Sequence, residues 1–157
     1  MMDGRIKTFK SALKKMEKKG IEPTIDAIKQ HIKDIVGIRI VTVFRDEIDE
    51  VAKLIAKIPG ITIVGKKDYV HNPKENGYQS LHIRAQVEIY DPIEGSQLIL
   101  IEIQIRDIYM HAWAQVEHRV KYKNQNPSPE AEAKFKELAK SVIKADEIAM
   151  KLRDYDN

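Results

Sequence analysis

A mixed β-sheet with helices packed on it, an α/β or α+β domain, is the architecture this 157-residue sequence predicts. Apolar residues recur at helical spacing before the first strand-like run and again after the last. Runs rich in β-branched residues occupy 38–44, 61–64, 81–90 and 98–106. The last two are joined by the turn-forming "DPIEGS", Asp91 to Ser96, which reads as a hairpin. Interleaved helices and strands with one hairpin give a mixed sheet.

Ile6, Phe9, Leu13 and Met16 predict an amphipathic helix from Arg5 to Lys19, ending at Gly20. On its other side Lys7, Ser11 and Lys15 follow at i, i+4 and i+8 and should share one face. Thr24 is placed to cap a second helix carrying Ile25, Ile28 and Ile32. "IRIVTVF", Ile38 to Phe44, reads as a buried strand. Asp46 caps a helix with Ile48, Val51, Leu54 and Ile55 inward, stopped at Pro59-Gly60. "ITIV", Ile61 to Val64, is the next strand, and the hairpin strands follow a polar loop. A further helix takes in Met110, Trp113, Val116 and Val120. After the linker "NQNPSP" the last helix runs from about Glu130 to Arg153. Its residues Ala131, Phe135, Leu138, Val142, Ala145, Ala149 and Leu152 form a heptad-like seam, against its own domain or against another subunit. The organisation is one domain over 1–123, then linker and helix over 124–157.

With 43% hydrophobic and 32% charged residues the chain is globular in composition. It has no cysteine, which excludes disulfides and thiolate metal sites and fits a cytoplasmic setting. No apolar run reaches membrane-spanning length, and no secretory h-region follows the N-terminal charges. Net charge is only +3, but Arg5 to Lys19 holds seven basic residues against one acidic, Glu17. Such a block suits a phosphate-bearing partner, a nucleotide or a nucleic acid; the plainer alternative is a solvated lysine face.

Strand alternation puts Ile99, Ile101, Ile103 and Ile105 on one face of 98–106 and Glu102, Gln104 and Arg106 on the other. Those three polar residues could be a wetted face or an active-site floor. Asp34 stands just before the first buried strand, either as helix-end punctuation or as a second carboxylate. If the two strands are neighbours, Asp34 and Glu102 could share a divalent ion, and hard oxygen ligands favour magnesium. The five histidines show no metal-binding spacing and read as structural. The Walker and dinucleotide phosphate loops are absent. The loop "NPKENGYQSLH", Asn72 to His82, offers far more polar chemistry than a connector needs, with Tyr78 as an exposed aromatic.

Taken together and in this order, "GRIKTFKSALKKM", "DIVGIRIV", "KDYVHNPKENGYQSLH" and "EIQIR" resemble the synthetase domain of the RelA/SpoT family, from Gly4 to about Lys123. The resemblance implies a nucleotidyltransferase-like fold. It implies a GTP pyrophosphokinase that moves the β,γ-pyrophosphate of ATP to the 3′-hydroxyl of GTP or GDP, making the alarmones ppGpp and pppGpp of the stringent response. By that resemblance Arg5, Lys7, Ser11 and Lys15 hold ATP phosphates. Asp34 matches a magnesium-binding aspartate. Glu102 matches a strand glutamate that binds magnesium or helps deprotonate the 3′-hydroxyl. The loop from Lys67 to His82 resembles the guanine-nucleotide acceptor site. Tyr78 would stack on the base, Lys67 and Lys74 would meet the nucleotide, and Asn76, Gln79 and Gln104 would supply hydrogen bonds.

The stretch of sequence in hand carries no hydrolase segment, and the resemblance is expected to be to a small, single-domain synthetase. Small members carry further helices before the segment that starts here at Gly4, which predicts a truncated version or a reduced ATP-side wall. Asp107 follows "EIQIR" where the family usually has Thr, and is expected to cap the next helix. Small members often form homotetramers, and the seam of the last helix is compatible with that. Two alternatives stay open: a toxin-like synthetase with an adenine nucleotide or tRNA as acceptor, and a non-catalytic nucleotide- or RNA-binding module. Paired carboxylates favour an enzyme, because they would repel a nucleic-acid backbone unless magnesium intervened.

Overall fold

The computed structural model describes residues 1–6, 8–18, 20–22, 24, 27, 36–93, 95–123 and 127–155. Its elements are β1 (Met2–Ile6), α1 (Phe9–Glu17), β2 (Val36–Thr42), α2 (Glu47–Ile55), β3 (Ile61–Asp68), β4 (Leu81–Asp91), β5 (Gly95–Asp107), α3 (Ile108–Lys123) and α4 (Pro129–Tyr155). The five strands lie in the order β1-β2-β5-β4-β3. β2 runs parallel to β5 and every other pairing is antiparallel, so the sheet is mixed, as predicted. Among the described residues no helix is long and apolar enough to cross a membrane.

The N-terminus departs from the expected helix. Residues 2–6 form an edge strand on β2, with Arg5 opposite Gly37. The helix begins only at Phe9, where the Thr8 side chain accepts from the Ser11 amide at 3.3 Å. Ile6 is therefore 75% exposed on a strand, while Met16 is fully buried. Its spacing to Phe9 mimicked a helical stripe, but pairing with Val36 engages its backbone in the sheet. The expected face of Lys7, Ser11 and Lys15 is reduced to Ser11 and Lys15 on α1, and Lys7 lies outside the described residues. Most of the second predicted helix lies outside them too, although the Thr24 hydroxyl accepts from the Ala27 amide at 3.1 Å, as a cap should.

One sheet face is apolar because strand alternation puts Leu81, Ile83 and Ala85 of β4 beside Ile101, Ile103 and Ile105 of β5. α2 covers this face with Ile48, Ala52 and Ile55, which lie at i, i+4 and i+7. Leu54 was expected inward but is 62% exposed, being rotated off that stripe. Asp46 holds the N-cap position of α2 without capping through its side chain. Its carboxylate instead binds Arg153 of α4 at 3.0 and 2.8 Å, and Glu47 takes the amides of Val43 and Phe44 at 3.0 Å each. Asp107 does cap: its Oδ1 accepts from the Met110 amide at 2.8 Å.

A second apolar cluster joins Tyr78, Met110 and Trp113 to Phe135 and Ala139 of α4. The Trp113 Nε1–H donates to the Phe135 carbonyl at 2.9 Å. Val116 and Val120, further along α3, face outward. α4 carries a buried acid, Asp146, only 2% exposed. Its Oδ1 accepts from the Arg45 amide at 3.2 Å, and Oδ2 lies 3.6 Å from Arg45 Nε. Burial first, then the nearby Asp107 charge, pushes its carboxyl above the ordinary value, against the pull of Arg45. A raised folded-state pKa means that the native state holds this proton more tightly than the unfolded chain does. That contribution to stability is complete below the unfolded value, about 3.9, and is lost as pH rises through the folded one. Asp146→Asn keeps the oxygen facing the Arg45 amide and does not titrate. The variant should match the parent in thermal unfolding near pH 3 and exceed it at pH 7; an advantage that shrinks as pH rises would contradict this.

Candidate active site

The opposite face of the sheet is polar, and the register lines it up. One row crosses all five strands: Asp3, Arg39, Gln104, His82 and Lys67. The next row contains Gly37, Glu102, Arg84 and Gly65, with Arg5 opposite Gly37 on the edge strand. Rows two residues apart are about 7 Å from each other. β3 bulges between Ile63 and Gly65, and a Cβ on Gly65 would stand 2.5 Å from the Arg84 guanidinium. Glycine there lets Arg84 lie across β3 beside the Glu102 row. Arg106 belongs to the same face but is only 4% exposed, not wetted. Its Nη2 lies 3.2 Å from His111 Nδ1. Burial lowers its pKa, with Tyr78 opposing and Arg39 adding to the shift. Burial, then Arg106 and Arg39, likewise depresses His111.

Glu102 therefore sits mid-sheet, 26% exposed, on a face carrying Arg39, Arg84 and Lys67. Its Oε1 is 3.3 Å from His82 Nδ1, and His82 Nε2 is 3.3 Å from the Tyr78 hydroxyl. His82 was read as structural; it is instead the side chain that joins the loop ring to the strand carboxylate. The signal was in the sequence, since His82 alternates with Leu81 and Ile83 and so must face away from the core. Arg39 and Arg84 were missed for the same reason.

The loop after β3 is built around a tight turn. Gly77 donates from its amide to the Lys74 carbonyl at 2.8 Å and has φ +86°, which only glycine adopts without strain. Asn76 Oδ1 accepts from the Tyr78 amide at 3.2 Å, and its Nδ2 donates to Glu117 of α3 at 2.7 Å. Gln79 is buried, with Oε1 3.4 Å from Arg45 Nη1, and the Ser80 hydroxyl donates to the Ile105 carbonyl at 3.1 Å. Two loop residues expected to meet a ligand thus hold the loop itself. Tyr78 is also not the exposed aromatic expected from its polar neighbours: it is 8% exposed, 5.9 Å from the Trp113 ring. Lys74 Nζ lies 4.9 Å from the Tyr78 ring centre and 4.7 Å from that of Tyr69. A base stacking on Tyr78 must take the place of that ammonium, which stays at hand for phosphate or base oxygens.

Of the residues assigned to ATP, Ser11 and Lys15 sit one turn apart on α1, and Arg5 lies on β1. The Ser11 hydroxyl is 2.9 Å from that of Thr8. Asp34 lies outside the described residues; in sequence it precedes the first residue of β2 by two. Among the described residues no three His, Asp or Glu side chains gather to hold a metal. A single partly open carboxylate suits Mg²⁺, which commonly takes one or two carboxylates plus substrate phosphates.

The family model described as "Region found in RelA / SpoT proteins" matches residues 4–127. The chain is 39% identical over 145 residues to the GTP pyrophosphokinase YwaC of Bacillus subtilis, covering 92% of this chain and 66% of that one. It is 32% identical over 153 residues to the GTP pyrophosphokinase YjbM of the same organism, covering 96% and 70%. It thus spans about two thirds of the length of these two relatives. The crystal structure of small alarmone synthetase 1 from Bacillus subtilis bound to its product pppGpp superposes with a TM-score of 0.89 at 29% identity, covering 99% of this chain and 78% of that one.

Proposed function

This chain belongs to the RelA/SpoT family, and on that premise we propose that it transfers the β,γ-pyrophosphate of ATP to the 3′-hydroxyl of GTP or GDP. The observation that carries the reading is Glu102: inside the matched region, mid-strand, partly exposed among cations and held by His82. In the reaction the 3′-oxygen forms a bond to the β-phosphorus of ATP. The bond from that phosphorus to the α,β-bridging oxygen breaks, and AMP leaves. Glu102 takes the hydroxyl proton at its carboxylate. Arg39, Arg84 and Lys67 surround this point with positive charge, which matters most while charge spreads over the transferring group. Lys74 meets the acceptor, whose base stacks on Tyr78 once the ammonium has moved. Arg5, Lys7, Ser11 and Lys15 hold ATP, with α1 supplying the last two. Glu102 with Asp34 would hold Mg²⁺, which neutralises phosphate charge when bound.

The setting is the cytoplasm, in keeping with the absence of cysteine. Ile148, Leu152 and Tyr155, exposed on the outer end of α4, offer a surface for homo-oligomers.

The test is nucleotide separation after incubating the chain with Mg²⁺, labelled ATP and, in turn, GDP, GTP, GMP and tRNA. AMP together with a pyrophosphorylated guanine nucleotide is the expected result. Label on tRNA alone would replace this reading with a toxin-like one, and no AMP in any lane would leave a binding module.

A further inference from the structure

We propose that His82 is a positioning residue for the reaction, the middle link of a one-way chain of hydrogen bonds running Tyr78, His82, Glu102. The proposal rests on the roles given above to Tyr78 and Glu102.

The direction of the chain follows from its carboxylate end. An ionised carboxylate can only accept. His82 Nδ1, 3.3 Å from Glu102 Oε1, is therefore the donor of that bond. In the neutral ring Nε2 is then bare, and it accepts from the Tyr78 hydroxyl at 3.3 Å. Each link selects the next, and aligned bonds of this kind polarise one another. The ring is also fixed in orientation. Tyr69 meets it edge-on at 5.3 Å and 86°, and Tyr78 at 6.0 Å and 85°. His82 itself is strand-borne, opposite Gln104, which makes its position firmer than any loop residue's.

The consequence is a link between the two halves of the site. His82 holds one Glu102 oxygen and so restricts how the carboxylate turns towards the acceptor hydroxyl. The phenol that carries the acceptor base is the same phenol that bonds to His82 Nε2. A base seated on Tyr78 therefore steadies the group that handles the 3′-hydroxyl proton. A histidine that merely filled space would contribute to stability and leave turnover unchanged.

The experiment compares the unaltered chain with His82→Ala, His82→Asn, His82→Gln, Tyr78→Phe and the Tyr78→Phe/His82→Ala double variant. Readouts are steady-state kinetics with ATP and GDP, GDP affinity by calorimetry, and ¹⁵N NMR of the His82 ring. An asparagine amide can stand where Nδ1 stands and donate to Glu102; a glutamine reaches towards the place of Nε2 instead. His82→Ala should lower kcat by about 10- to 100-fold, the usual loss on removing a group that orients a reacting one, with GDP affinity nearly unchanged. His82→Asn should recover most of that loss and His82→Gln little. Tyr78→Phe should lower kcat in the parent and add nothing in the His82→Ala background, since both act through one chain. The ring should show its proton on Nδ1. Unchanged kcat in His82→Ala, a loss confined to the KM for GDP, equal rescue by Gln and Asn, or additive effects would each overturn the proposal. The NMR readout needs no turnover: a proton on Nε2 refutes the chain even in an active enzyme. An inactive parent with the proton on Nδ1 refutes the assigned reaction and leaves the chain standing.

Discussion

Replacing Glu102 with glutamine is expected to lower kcat by about a thousandfold or more, within the range that a lost base and a lost charge can jointly impose. The substitution is close to isosteric. The glutamine carbonyl can still accept from His82 Nδ1, so the geometry of the chain survives and only the negative charge is removed. GDP and ATP contact other parts of the site and should bind within about threefold of the parent, the mark of an interaction made in the transition state and not in the ground state. Single-turnover kinetics alongside calorimetry separate the two effects. Glu102→Asp keeps the charge but shortens the reach and should fall between. Turnover near that of the parent in the glutamine variant would remove Glu102 from the chemistry and, with it, the reason for placing the reaction on this face.

How far the sequence foretold this site depends on which forces act locally. Strand period is local, so the split of β5 into an isoleucine face and a Glu102–Gln104–Arg106 face was legible, as was the mixed sheet. The Asp107 cap was legible because capping needs only three neighbouring residues. The edge strand was not. Residues 2–6 have no strand pattern of their own and become a strand because β2 offers its backbone. The loop was misread in a more instructive way. Pro73, Asn76 and Gly77 announce a turn correctly, and the exposed turn was then extended to Tyr78. What buries Tyr78 is Trp113 on α3 and Phe135 on α4, contacts that no pattern within the loop encodes. His82 shows the opposite case: its facing was readable by counting in twos from Leu81, and only its partner across the sheet required the register.

Trp113→Ala is expected to cost roughly 3–5 kcal/mol of stability, the usual range for removing a fully buried large aromatic. For a chain of this length that is a fall of roughly 6–20 °C in Tm. Trp113 is 1% exposed, packs on Tyr78 and Phe135, and spends its only hydrogen bond on the Phe135 carbonyl. Its loss opens a cavity under α4 and removes the indole N–H from that carbonyl, which keeps only its helical bond. The damage should not stay there. A Cβ at Gly77 would lie 2.5 Å from Cβ of Ala139, so the turn of the acceptor loop rests directly on the helix that Trp113 anchors. Loosening α4 therefore loosens the loop, and at a temperature where the variant remains folded the KM for GDP should rise several-fold while that for ATP moves little. Trp113→Phe, which keeps most of the ring volume and drops the indole N–H, should recover much of the stability and most of the GDP affinity. A small stability loss in the alanine variant would show that α4 closes over the gap. Equal rises in both KM values would show that α4 braces the whole sheet face and not the acceptor loop in particular. The contacts favour the narrower effect: Phe135 and Ala139 meet the loop through Tyr78 and Gly77, while the Arg39–Gln104–His82 row is held by strand pairing that does not depend on α4.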